Sequence, residues 1–176
     1  VINNYIRSVG GKANLKSVNT LVMKASVTIP GAPFTPEATM RQKLPNKSSF
    51  KIEANMQGQK MTLSKTTFNG DRGYSEMQGQ RVEFDEKQLD ENKKVKGIFE
   101  ELYFKAEELE LISINSVNYQ DAYKVKVTID GKESHRYYSV ESGLLLSTED
   151  TDDNNNVVTT NYGDYQSVQN VMFPFY

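Results

Sequence analysis

Hydrophobic and polar residues alternate along most of this chain, and the alternation breaks at a few turn signals. Tyr123, Val125, Val127 and Ile129 alternate with Lys124, Lys126 and Thr128, the period of a strand with one dry face. Asp130-Gly131 follows, a pair suited to a type I′ turn, in which both central residues need positive φ. A two-residue turn there pairs Val125 with Arg136 and Tyr123 with Tyr138, leaving His135 across from Lys126; a three-residue loop would move His135 to the apolar side. Glu141-Ser142-Gly143 makes a second turn before Leu144, Leu145 and Leu146. The segment predicts a three-strand meander.

The same period recurs upstream. Leu21 to Ile29 carries Leu21, Met23, Ala25, Val27 and Ile29 on one parity and ends at Pro30-Gly31. Phe34 to Leu44 places Phe34, Ala38, Met40 and Leu44 together, and Pro45-Asn46 turns the chain. Ser49 to Met56 alternates Phe50, Ile52, Ala54 and Met56 with Lys51, Glu53 and Asn55; Lys60 to Phe68 continues through Met61 and Leu63. Asn69-Gly70 and Gln78-Gly79 bound shorter strands at 72–77 and 81–84. Val157 to Tyr165 and Leu109 to Val117 read as further strands.

Helical spacing appears twice. Ile2, Tyr5, Ile6 and Val9 share a helix face that Gly10-Gly11 terminates, with another turn at 12–17. Asp85 and Gln88 suit a capping box, and Val95, Ile98, Phe99 and Leu102 form an apolar stripe. Gly97 interrupts that stripe, so one long helix and two short ones both fit. Helix, many strands, helix and more strands describe an α+β fold, an antiparallel sheet with its apolar face against a few helices.

Composition narrows the chemistry. A net charge of −2 over 176 residues gives no electrostatic reason to expect nucleic acid, and zero Cys excludes disulfides and thiolate sites. No apolar run approaches the roughly 20 residues of a membrane helix. His135 is the single histidine, and Ser134 beside it points to the opposite strand face, so the two do not form a nucleophile–base pair. The acidic pairs Glu100-Glu101 and Glu107-Glu108 do not converge on a helix. Asp150 to Asn156 lacks the Gly and Glu of a calcium loop and reads as a solvated hairpin loop. No catalytic residue, metal or cofactor is expected. Val1 opens the chain with no leader pattern, so a signal peptide is read as removed, and Val171 to Tyr176 reads as a strand of a longer parent protein.

Four groups of residues, in order, resemble the LolA-like family of outer-membrane lipoprotein carriers and sorting proteins. They are Tyr5-Ile6-Arg7-Ser8-Val9-Gly10-Gly11-Lys12; Phe68-Asn69-Gly70-Asp71-Arg72-Gly73-Tyr74; Asp121-Ala122-Tyr123-Lys124-Val125 with Asp130-Gly131, Arg136-Tyr137-Tyr138 and Ser142-Gly143-Leu144; and Asp164-Tyr165-Gln166-Ser167-Val168 with Met172-Phe173-Pro174. Tyr74 stands where Trp is common. The resemblance implies one half-barrel domain over 1–176, truncated at its C-terminal end: a curved antiparallel sheet, an incomplete β-barrel, with a few helices covering its apolar concave face. It implies a non-enzymatic periplasmic or outer-membrane-associated module that binds a lipid, acyl chain or lipoprotein in the cavity between sheet and helices. Similar domains in Bacteroidetes-type envelope proteins and beside insulinase-type zinc peptidases imply the alternative of a structural accessory domain docked on other domains of a parent protein. The candidate lining residues are Met23, Val27, Met40, Phe50, Ile52, Met61, Leu63, Ile98, Phe99, Tyr123, Val125 and Val127. A second reading of the same parity has these side chains simply packing against the Val95–Leu102 stripe and the Ile2–Val9 helix.

Overall fold

A computed structural model describes residues 1–29, 31, 33–56, 58–152 and 154–176. It is α+β, with antiparallel sheets that do not close into a barrel. The chain forms two compact units, residues 18–98 and residues 1–17 with 99–176.

The first unit is a six-stranded meander: β1 (Thr20–Ser26), β2 (Glu37–Lys43), β3 (Lys47–Met56), β4 (Gln59–Phe68), β5 (Gly73–Met77) and β6 (Gln80–Glu83), each beside its sequence neighbour. The local turn chemistry accounts for this order. The Asn69 side chain accepts hydrogen bonds from the N–H groups of Asp71 and Arg72, closing the β4–β5 turn. Gly73 follows, where an added Cβ would overlap the Phe84 ring, and Phe84 stacks on buried Phe68 at 6.4 Å between centroids. Ile52 pairs with Ser64 but Glu53 pairs with Thr62, so Leu63 is the extra residue of a β-bulge. Pro30, of the expected Pro30-Gly31 turn, lies outside the described residues.

The second helical expectation holds at its start and fails along its apolar stripe. The capping box forms, with Asp85 accepting from the Gln88 N–H at 2.8 Å and Gln88 accepting from the Asp85 N–H at 3.1 Å. The helix α1 that it starts, however, runs only over Glu86–Lys94 and buries none of its residues. Val95 is extended at φ −61° and ψ 119°, and 3₁₀ turns at Glu100–Leu102 and Ala106–Glu108 follow. The Val95–Leu102 stripe is therefore not the face of one helix. A β-branched residue and a glycine within three positions lower helix propensity there, and this short stretch cannot offset it.

In the second unit, helices α2 (Ile2–Ser8) and α3 (Gly11–Ser17) bury Tyr5 and Leu15. The five strands β7 (Leu109–Val117), β8 (Gln120–Ile129), β9 (Lys132–Ser139), β10 (Leu145–Thr151) and β11 (Val157–Asn161) make an antiparallel sheet, and β12 (Tyr165–Val168) pairs with β13 (Val171–Pro174). Asp130 and Gly131 have φ of 51° and 79°, the two-residue turn, and Val125 pairs with Arg136, Tyr123 with Tyr138 and Lys126 with His135. The core of this unit holds Tyr5, Val9, Leu15, Val125, Val127, Tyr138 and Val171, and Ala122, Tyr137 and Leu146 are buried as a further cluster.

Candidate functional site

In an antiparallel sheet, directly paired residues share a face and alternate residues leave it. The register of the six-stranded sheet therefore assigns every side chain. Met23 pairs with Met40, Met40 with Phe50, Phe50 with Thr66, Thr66 with Ser75 and Ser75 with Val82, one row across all six strands. The neighbouring row on the same face runs Ala25, Ala38, Ile52, Ser64, Met77 and Gln80. Met61 pairs with Ala54 beyond the bulge and joins this face with Met56. Five of the chain's six methionines thus lie together, and no strand residue on this face is charged.

Much of this face is open. Phe68 is buried at one end and Ala38 and Ala54 are buried within it, whereas Phe50 is 41% exposed, Met61 49% and Met77 66%. Met23, Met40 and Ile52 are half-buried. An uncharged face that leaves large side chains in water provides a dry, adaptable surface, because methionine is unbranched and polarisable.

Of the candidate lining residues, the six-stranded sheet brings Met23, Met40, Phe50, Ile52 and Met61 onto one face. Leu63 sits at the bulge, and Val27 lies just past β1, its N–H donating to the Pro36 carbonyl at 2.8 Å. Ile98 is half-buried in the segment after α1. Phe99, Tyr123, Val125 and Val127 belong to the second unit, where Val125 and Val127 are buried in the core and the Phe99 ring lies 5.9 Å from that of Phe173. Met77 and Val82 were not legible as members of the face. Their strands are short, and only pairing with Ser64 and Ser75 fixes their parity.

The opposite face of the six-stranded sheet carries all of its strands' charges, eight Lys and Arg against four Glu. Glu53 receives Lys51 at 2.7 Å and Lys60 at 3.2 Å, and the hydrogen bond from Lys51 is the main cause that lowers its pKa. The Arg81 guanidinium lies 3.7 Å above the Tyr74 ring, and a hydrogen bond with Lys65 lowers the Tyr74 pKa.

The second unit holds a charged cluster in which Arg136 and Glu101 are buried while Glu100 and Asp150 are exposed. Arg136, on the Val125 face, bonds Glu100 through Nη2 at 2.5 Å and lies 3.8 Å from Asp150. Burial pushes the adjacent Glu101 carboxyl up to about 7; Glu100 adds to the rise and Arg136 opposes it. His135 lies on the other face, its Nδ1 3.6 Å from Glu149. In the polar loop, of which Asp153 lies outside the described residues, Asp152 accepts from the N–H groups of Asn154 and Asn156, so its carboxylate closes the loop. Among the described residues no cluster of His, Asp and Glu has the form of a metal site.

No family model matches the chain, and no curated protein matches it in sequence. The structure is similar to that of a DUF1329 family protein from Desulfovibrio piger, with 10% identity and a TM-score of 0.55 over 97% of this chain and 80% of that one. It is also similar to a LolA superfamily protein from Nitrosomonas europaea (12% identity, TM-score 0.49, 88% of this chain and 72% of that one). A putative outer membrane lipoprotein-sorting protein domain from Vibrio parahaemolyticus matches at 10% identity and a TM-score of 0.48, over 88% and 74%. The likeness is one of fold.

Proposed function

We propose that this chain is a non-enzymatic module of the cell envelope, periplasmic or associated with the outer membrane, that binds an apolar ligand such as a lipid, an acyl chain or an acylated protein. The observation that carries the proposal is the uncharged, methionine-rich face of the six-stranded sheet, on which Phe50 and Met61 stay open to water. The four sequence motifs that resemble the LolA-like family support the same reading. Met23, Met40, Phe50, Ile52 and Met61 would form the surface for the acyl chain, with Val27 and Leu63 close to them in sequence. The driving force would be desolvation, about 0.8 kcal/mol for each methylene removed from water. Nothing in that mechanism requires a nucleophile, a cofactor or a metal.

The test is native mass spectrometry of protein purified from membrane-containing lysate, together with titration of a fluorescent fatty-acid probe. Copurified lipid and saturable probe binding, weakened about tenfold in Phe50→Gln/Met61→Gln, are expected. Absence of both results overturns the proposal and leaves an accessory domain of a larger envelope protein, such as an insulinase-type peptidase, as the reading of the same exposed face.

A further inference from the structure

The polar face of the six-stranded sheet contains a groove of about 330 Å³ lined by Lys24, Ser26, Thr39, Arg41, Lys51 and Lys60, with Glu37 and Glu53 at one end. The register explains how the cations gather. Lys24 pairs with Thr39 and Thr39 with Lys51, placing two ammonium side chains on either side of a threonine two strands apart. Arg41 follows Thr39 by two residues on β2 and so lies diagonal to both.

The carboxylates do not neutralise this cluster evenly. Lys51 and Lys60 share Glu53, and Lys60 also reaches Glu37 at 3.8 Å. Among the described residues no ion pair is made by Lys24 or Arg41, both of which are exposed. Two cations without carboxylate partners therefore flank a groove that also offers the hydroxyls of Ser26 and Thr39. The surrounding face repeats the sign, with eight cations against four carboxylates in a chain whose net charge is −2. Val22, paired with Arg41 and 58% exposed, adds an apolar side chain beside the cations.

We propose that this groove binds the phosphate headgroups of an anionic lipid surface. Guanidinium and ammonium donors suit phosphate oxygens, and each cation near such a surface adds to the attraction. A broad basic sheet face with a neighbouring exposed valine suits a surface better than a solute held in a closed pocket. The site lies on the opposite side of the sheet from the methionine-rich face, so it does not depend on the apolar-ligand reading.

The experiment is cosedimentation of the full chain with phosphatidylglycerol vesicles and with phosphatidylcholine vesicles, beside titration with inorganic phosphate. Binding to the anionic vesicles at least tenfold stronger than to the neutral ones, and weakening as salt rises, is expected. Lys24→Gln and Arg41→Gln should each reduce it about fivefold, while Phe50→Gln/Met61→Gln should leave the preference for anionic vesicles unchanged. Circular dichroism of each variant would establish that it is folded. Equal binding to both vesicles, insensitivity to both cation variants, or binding of inorganic phosphate without vesicle binding would overturn the proposal.

Discussion

Tyr5 of helix α2 and Tyr138 of strand β9 pack ring to ring, their centroids 5.2 Å apart and their planes tilted by 55°. This tilted pairing joins the amino-terminal motif to the Arg136-Tyr137-Tyr138 motif across more than 130 residues of chain. Both rings are buried, and burial raises both phenol pKa values. Tyr5→Ala should cost about 3–5 kcal/mol, the usual range for deleting a buried aromatic ring, measurable as a shifted urea midpoint. Tyr138→Phe should behave differently. Its buried hydroxyl makes no hydrogen bond of ordinary geometry, yet lies near enough to the Glu101 carboxyl to lower that group's pKa, so removing it should change stability by no more than about 1 kcal/mol.

Gly10 joins the same helix to the β12–β13 hairpin. It has φ of +123°, and a Cβ there would overlap the carbonyl oxygen of Asn170; the Val9 carbonyl meanwhile accepts from the Met172 N–H at 3.0 Å. Gly11 has φ of +84° with open space around it. Gly10→Ala should therefore cost at least about 2–3 kcal/mol, and Gly11→Ala only about 1. Equal melting temperatures for the two variants would contradict the close approach at Asn170.

Glu101 ties stability to pH. Its carboxyl, ordinarily near 4.5, is raised to about 7 in the folded chain, chiefly by burial. Between these values the folded state holds a proton that the unfolded state has released, so stability falls as pH rises from about 4.5 to about 7 and then levels. The amplitude is on the order of 3 kcal/mol. Glu101→Gln should flatten this part of the profile in denaturation measured at steps between pH 4.5 and 8.

The open face of the six-stranded sheet should tolerate change where it is wet and resist it where it is dry. Phe50→Gln should alter stability by less than about 1 kcal/mol, because Phe50 remains 41% exposed. Phe68→Ala, at the buried end of the same face, should cost about 3–5 kcal/mol. Chemical denaturation of the two variants side by side distinguishes a half-open face from a closed core.

The four groups of residues that carry the resemblance have physical roles, and those roles are mostly in folding. Ser8 donates to the Ser142 carbonyl at 2.6 Å, and a side chain at Gly143 would press on Asn4 and Ser8. Gly10 meets the hairpin at Asn170, and Asn69 with Gly73 builds the turn against Phe84. Motifs of this kind are legible because turn chemistry and close backbone approach constrain residue type. Positions on an open sheet face carry no such constraint, which is why only the alternation of Met23, Met40, Phe50, Ile52 and Met61 pointed to them.

Local sequence thus determined the elements whose partners are near in the chain. Asp130-Gly131 set the β8–β9 register, Asp85 and Gln88 started their helix, and alternation gave the strands their two faces. Tertiary structure decided where the strands stopped being one sheet, since the chain leaves β6 and begins a new sheet at β7. It also decided that Val95 and Ile98 are not helical and that Met77 and Val82 join the uncharged face. These depend on pairing and packing with other strands, whose contribution outweighs the small local preferences of short segments.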